Sequence, residues 1–447
     1  LKEHLHSAFS AFSALSLSKT RIFVFAETED RVEVLSGHFV MINQSAVSKY
    51  RRFFYCSLES GRRKGRSRMG KDKEKQDELK KVDEQIAELL VNRLRLSGRK
   101  GDEIHRDIIG KPGESRGAAI SQLTGTMDEE MAIYTKVLFN TIYDLEDSYR
   151  NKEVYLQSEK AEAIREGIRN TPEFFPKRAT VACQGIEGSN SQLACEKMFQ
   201  IPDITFLNSF DAVFSAVDKG LCRYGILPIE NSLNGSVGEV YELMKKYKLF
   251  IVRSTKMQIS HALLGPEGSS IQSIKKVYSH EQALGQCSDY LKKHPGMIGY
   301  PAENTAMAAK IVSDSGLPET AAISNRQCGE LYGLTILEDG IQNNDNNYTR
   351  FICISKKMEI YPGADKTSLM FTTPNKPGAL YEILSKFSAL GVNMTKLESR
   401  TIPGKDFEFM FHLDLDSSVL QDEILNLICE LQQEPDSFVF LGSYREI

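Results

Sequence analysis

Five short polar patches, each at the end of an apolar run in the middle of the chain, hold the side chains that could do chemistry. Residues 184–191, from Gln184 through Gly185, Glu187, Gly188 and Ser189, make a glycine-bearing turn from strand to helix. Its backbone N–H groups can receive a carboxylate, although alone it reads as a tight turn. Glu230, Asn231 and Ser232 follow the run 224–229. Asn231 and Ser232 suit a polar ligand, while Glu230 serves equally well as a ligand contact or as a buried acid capping the next helix. Ser279, His280, Glu281 and Gln282 read as a helix start with His280 at the cap, and Asn304 and Thr305 as another. The last patch, 346–351, supplies the Thr349 hydroxyl and the Arg350 guanidinium, a planar fork for a carboxylate. None of the patches holds a nucleophile–base pair, a metal cluster or a long phosphate loop. Neutral donors with one or two cations suit a small, multiply anionic substrate that needs orientation and one proton, with no cofactor.

The elements that must position these patches are of three kinds. From Gln76, Leu79, Val82, Ile86, Leu89, Leu90 and Ser97 recur at helical spacing, with Arg93 inside the stripe. A second helix is expected around 116–123. A third follows Thr126 and Glu129, spaced as a capping box, with Met131, Val137, Leu138, Ile142 and Leu145 inward. Residues 151–176 are charged and end in Thr171, Pro172, Phe175 and Pro176, as a helix running into a linker would. Beyond Ala179, β-like runs at 180–182, 224–227, 250–252 and 350–355 alternate with helical stretches, the α/β signature. After the break at 361–363 the order strand, helix, strand, strand, helix, strand is that of a ferredoxin-like α+β unit. The expected division is 1–68 without structure or upstream of the real start, 69–155 all-helical, 178–358 α/β, and 366–447 α+β.

The chain of 447 residues is too long for one ordinary core. Its net charge of −4 is unevenly spread, with +6 in residues 1–68 and −10 in the rest, so a nucleic-acid footprint on the main body is not expected. No apolar run is long enough to cross a bilayer as a helix. The eight cysteines show no C-x-x-C spacing, which argues against zinc and a disulfide framework and fits a reducing cytosol.

Taken in order and spacing, 184–191, 228–232, 279–283 and 347–351 resemble prephenate dehydratase over about 180 residues. Gly378, Ala379 and Leu380, with Glu398, Ser399 and Arg400, look like an ACT regulatory domain, and the helical unit resembles the chorismate mutase part of the bifunctional enzyme. The resemblance implies a two-lobed dehydratase domain of the periplasmic-binding-protein type, with prephenate in the cleft. It implies Thr349 at the leaving hydroxyl, and Glu230, Asn231, Ser232, Gln282, Thr305 and Arg350 around the substrate. It further implies a homo-oligomer, dimer or tetramer, that senses phenylalanine through 378–380 and 398–400. Arg93 and Arg116 match two mutase arginines, but Gln76, Ile104, Gly117 and Arg150 stand where other residues are expected, so weak or no mutase activity is anticipated. The alternatives are a fully bifunctional enzyme and a non-catalytic amino-acid-sensing protein on the same fold.

Overall fold

The computed structural model describes residues 24–26, 32–34, 73–97 and 114–447, apart from 374, 376, 403–408 and 433–437. They fall into two compact units, Leu1–Glu103 and Ile104–Ile447. In the first, β1 (Val24–Ala26) pairs antiparallel with β2 (Val32–Val34). These short, β-branched runs thus pair where no structure was expected; the rest of 1–68 lies outside the described residues. Residues 73–97 form the expected helix, and Leu79, Val82, Ile86 and Leu89 of its stripe are exposed.

The second unit opens with helices Glu114–Thr124, Glu129–Leu156 and Glu159–Asn170. The second of these is capped by Asp128, whose Oδ1 accepts from Met131 N at 2.9 Å, so Thr126 is not its cap. Met131, Val137, Leu138 and Leu145, expected inward, are exposed. This helix packs on Glu114–Thr124, on Asp422–Leu431 near the C-terminus and on Glu159–Asn170. The charged stretch after it is a further helix, capped by Ser158, that buries Ala161 and Ile164 against Phe371, Phe387 and Ile428. That apolar face is a three-to-four-residue repeat too sparse to stand out among charges.

The α/β part consists of two lobes. One holds β3 (Arg178–Gln184), β4 (Ile201–Leu207), β5 (Tyr224–Asn231), β6 (Gly235–Ser236), β7 (Phe250–Gln258) and, after an excursion, β13 (Tyr348–Ser355). Its strands lie in the order β7-β13-β5-β3-β4, with β13 antiparallel to both neighbours. The other holds β8 (Ala262–Gly265), β9 (Lys276–Ser279), β10 (Ile298–Pro301), β11 (Thr320–Ser324) and β12 (Thr335–Asp339), ordered β10-β9-β11-β8-β12. The chain crosses between lobes twice, at 259–261 and 340–347, as two lobes around one cleft require.

The remaining strands, β14 (Lys366–Thr372), β15 (Met394–Thr401), β16 (Phe409–Leu415) and β17 (Phe438–Glu446), lie in the order β15-β16-β14-β17 with helices Ala379–Ala389 and Asp422–Leu431 between them, the ferredoxin-like arrangement. One face of this sheet, with Leu369, Phe371, Leu413 and Phe440, packs on its helices. The other, with Met370, Met410 and Tyr444, packs on Val240, Tyr241 and Met244 of helix Gly238–Tyr247 in the first lobe. β17, which the apolar run Phe438–Leu441 predicts to end at Leu441, continues to Glu446 and pairs parallel with β7 through Arg445 and Glu446. Gly442, at φ +147°, makes the crossing possible, since a Cβ there would strike the carbonyl of Ile251.

Candidate active site

A cleft of about 380 Å³ lies between the lobes, and Asn231, Gln282, Thr305 and Thr349 all line it, with Gln184 and His261. Thr349 and Asn231 are direct partners across β13 and β5. The amide of Asn231 is oriented by the backbone: its Oδ1 accepts from the N–H groups of Leu233 and Asn234, both at 3.0 Å. Its Nδ2 therefore donates, to Asn347 Oδ1 at 2.7 Å and to Thr349 Oγ1 at 2.9 Å. Because the Thr349 oxygen is already accepting, its own proton is free to be donated elsewhere.

The same polarity continues across the lobe junction. Asn347 Nδ2 donates to Gln286 Oε1 at 3.1 Å, and that oxygen also receives His261 Nε2 at 2.9 Å. An oxygen cannot donate, so His261 carries its proton on Nε2. Its Nδ1 is buried and has no partner among the described residues, and burial lowers the pKa of the ring. His261 was absent from the sequence reading, where it is one histidine between two β-like runs; its place at a lobe crossing was the available signal.

Several expected contacts lie elsewhere. Ser232 is a latch, its Oγ donating to Asn346 O and accepting from Tyr348 N, both at 2.9 Å. Glu230 and Arg350 do not line the cleft: successive strand residues point to opposite faces, so the neighbours of Asn231 and Thr349 face the ferredoxin-like sheet. There Arg350 Nη2 meets Asp414 Oδ2 at 2.5 Å and Glu230 Oε2 at 3.5 Å. Among the described residues, the lining holds no Lys, Arg, Asp or Glu.

Two helix N-termini face the cleft in place of a cation, one from each lobe. Ser189 caps helix Asn190–Met198, and Asn304 caps helix Thr305–Ser315, its Oδ1 accepting from Met307 N at 2.8 Å. Such ends carry a partial positive charge and free N–H groups, so a substrate carboxylate can be received by either. The turn before Asn190 also closes one side of the cleft. Gly188 O accepts from Asn325 Nδ2 of the other lobe at 2.8 Å, and a Cβ at Gly188 would press on Cys328 Sγ at 2.9 Å. His280 acts as the expected cap, Nδ1 accepting from Gln282 N at 3.3 Å.

The residues matched to an effector site divide. Gly378, at φ +87°, starts helix Ala379–Ala389 with Ala379 and Leu380 behind it. Ser399 is on the exposed side of β15, whereas Glu398 and Arg400 turn to Ser236 of the first lobe. Arg116 is paired with Asp144 at 3.0 Å and with Asp147 on the next helix, and Arg93 belongs to the other compact unit. The seven cysteines among the described residues are buried and unbridged.

The family profile described as prephenate dehydratase matches residues 181–359. A curated relative from Arabidopsis thaliana, arogenate dehydratase/prephenate dehydratase 2, chloroplastic, is 34% identical over 279 residues, which cover 60% of this chain and 73% of the relative. Among solved structures, prephenate dehydratase from Arthrobacter aurescens in complex with L-Phe is 28% identical with a TM-score of 0.53, covering 59% of this chain and 89% of that one. A structure described as a novel type of quorum quenching acylase is 30% identical with a TM-score of 0.54, covering 60% and 98%.

Proposed function

The chain belongs to the prephenate dehydratase family, and from that premise we propose that it converts prephenate to phenylpyruvate, water and carbon dioxide in the cleft between its lobes. The observation that carries this reading is the hydrogen bond from Asn231 Nδ2 to Thr349 Oγ1, which leaves the Thr349 proton to be donated. In the reaction the ring hydroxyl takes up one proton and departs as water. The ring carboxylate leaves as carbon dioxide, and the electron pair of its bond completes the aromatic ring. A threonine hydroxyl is too weak an acid to protonate the leaving group outright, so Thr349 acts as a donor that stabilises the departing oxygen. The side-chain and ring carboxylates are held by the helix ends at Asn190 and Thr305, with Gln282 as a neutral donor, while both N–H bonds of Asn231 are taken up by Asn347 and Thr349.

An acylase role, suggested by the similar quorum-quenching structure, needs a base that accepts a proton from the nucleophile. Thr349 has a donor, Asn231, in that place. The name of the Arabidopsis relative supports a second substrate, arogenate, in which an amino group replaces the keto group and the product is phenylalanine. Supplying each substrate separately tests both: phenylpyruvate, seen as its alkaline chromophore, is expected from prephenate. Phenylalanine from arogenate with no product from prephenate would reassign the substrate.

We further propose that the ferredoxin-like unit is an ACT domain through which phenylalanine inhibits the enzyme between two copies of the chain. Support comes from the left-handed Gly378 turn at a helix start and from the exposed side of β15 at Leu397 and Ser399. Gly378→Val should remove inhibition by phenylalanine and leave the uninhibited rate within about twofold. For the mutase-like helices we propose weak or no activity: the charge of Arg116 is already balanced by two carboxylates. Chorismate consumed as fast as prephenate, and no longer so after Arg93→Ala, would reverse that reading. The buried thiols suit a reducing compartment.

A further inference from the structure

Behind the cleft, on the other face of β5 and β13, six charged side chains form one closed cluster. Glu230 and Arg350 come from those two strands, and Asp414, Lys396, Glu398 and Arg400 from the ferredoxin-like sheet. Arg350 bridges Asp414 and Glu230. Lys396 Nζ lies 3.1 Å from Glu230 Oε1 and 3.3 Å from Glu398 Oε2, and Arg400 Nη2 is 2.8 Å from Glu398 Oε1. The Ser236 hydroxyl joins Lys396 and Glu398, while Arg400 donates to Ser236 O at 3.3 Å. Three cations balance three anions. The side chains of Arg350, Asp414 and Lys396 are 11%, 6% and 9% exposed, so these charges are little screened and their geometry is held closely.

What the cluster grips is the strand pair that carries the reacting hydroxyl. The ladder between β13 and β5 shifts register between Arg350 and Phe351, where Pro228 of β5 faces Phe351 without an N–H. Regular pairing over 351–355 therefore does not by itself fix the next pairs, Arg350 with Glu230 and Thr349 with Asn231. The ion pairs sit on those same residues, one step along each strand from the side chains in the cleft.

We propose that this cluster sets the Asn231–Thr349 geometry, making Asp414 and Lys396 of the ferredoxin-like unit, through Arg350 and Glu230, positioning residues for the turnover step. The proposal rests on the dehydratase reading. A movement of the ferredoxin-like sheet relative to the first lobe reaches Thr349 by this route, without a change in the cleft lining.

The test is prephenate turnover by the full-length chain carrying Asp414→Asn, Asp414→Glu or Lys396→Met, beside the unaltered chain. Asp414→Asn and Lys396→Met are expected to lower kcat about tenfold or more with KM within about twofold, because substrate-binding groups are untouched. Asp414→Glu, which keeps the carboxylate, is expected to recover most of the rate. Unchanged kcat in folded Asp414→Asn and Lys396→Met overturns the proposal. So does a loss that vanishes when rates are expressed per folded molecule by circular dichroism. If Asp414→Asn does not fold, Lys396→Met decides alone. An unaltered chain with no turnover of prephenate would instead refute the dehydratase reading.

Discussion

Asn231 and Thr349 are tied by one hydrogen bond whose direction is set by two backbone N–H groups, and the proposed chemistry depends on that direction. Asn231→Asp keeps the shape but replaces the donating amide by an acceptor. The Thr349 proton would then turn to the carboxylate and away from the substrate, and kcat is expected to fall by on the order of 100-fold, as when an oriented donor is lost. A steady-state comparison with unaltered chain checks this, and a loss below about threefold would show that Thr349 does not depend on Asn231. The four cleft residues Asn231, Gln282, Thr305 and Thr349 were legible in the sequence, being polar groups at ends of apolar runs. Arg350 and Glu230 were misplaced because a motif read as a string hides strand alternation, and their partners Asp414 and Lys396 are far along the chain. His261 was missed because its partner, Gln286, is supplied by another element.

At the scale of elements, the join between the ferredoxin-like sheet and the first lobe carries a titration. His412 of β16 is buried, its ring centroid 4.1 Å from that of Tyr241, and neither ring nitrogen has a partner among the described residues. Burial, with the Arg400 and Lys396 charges outweighing those of Glu398 and Asp414, lowers its pKa to about 4. The unfolded chain thus binds this proton first, and stability is lost as pH falls from about 6.5 to about 4, by about 3 kcal/mol at most. His412→Phe should flatten thermal midpoints across that window; His261, shifted the same way, keeps some slope. An identical pH dependence in the variant would remove His412 from this role. Strand and helix order was readable here from period-two and helical patterns. The extension of β17 was not, since Gly442 reads as a strand end until Ile251 is placed against it.

For the whole molecule, the division at Glu103 and the burial of Ala161 and Ile164 set what can be removed. A chain beginning at Met69 is expected to turn over prephenate within about twofold of full length. One beginning at Thr171 should be insoluble or lose several kcal/mol, because two core side chains leave the ferredoxin-like unit uncovered. Equal stability of the two in urea would contradict that packing. Residues 151–176 read as a helix running into a linker, and the core role of that helix was hidden because the contacts of Glu159–Asn170 are made with residues some 200 positions later. The proposed turnover rests on one hydroxyl in the cleft, and the direct test is kcat/KM for prephenate in unaltered chain, Thr349→Ser and Thr349→Val. Serine should keep much of the rate and valine should lose about 100-fold or more, in keeping with an oriented donor. Equal rates for threonine and valine would contradict the assignment of the reaction to Thr349.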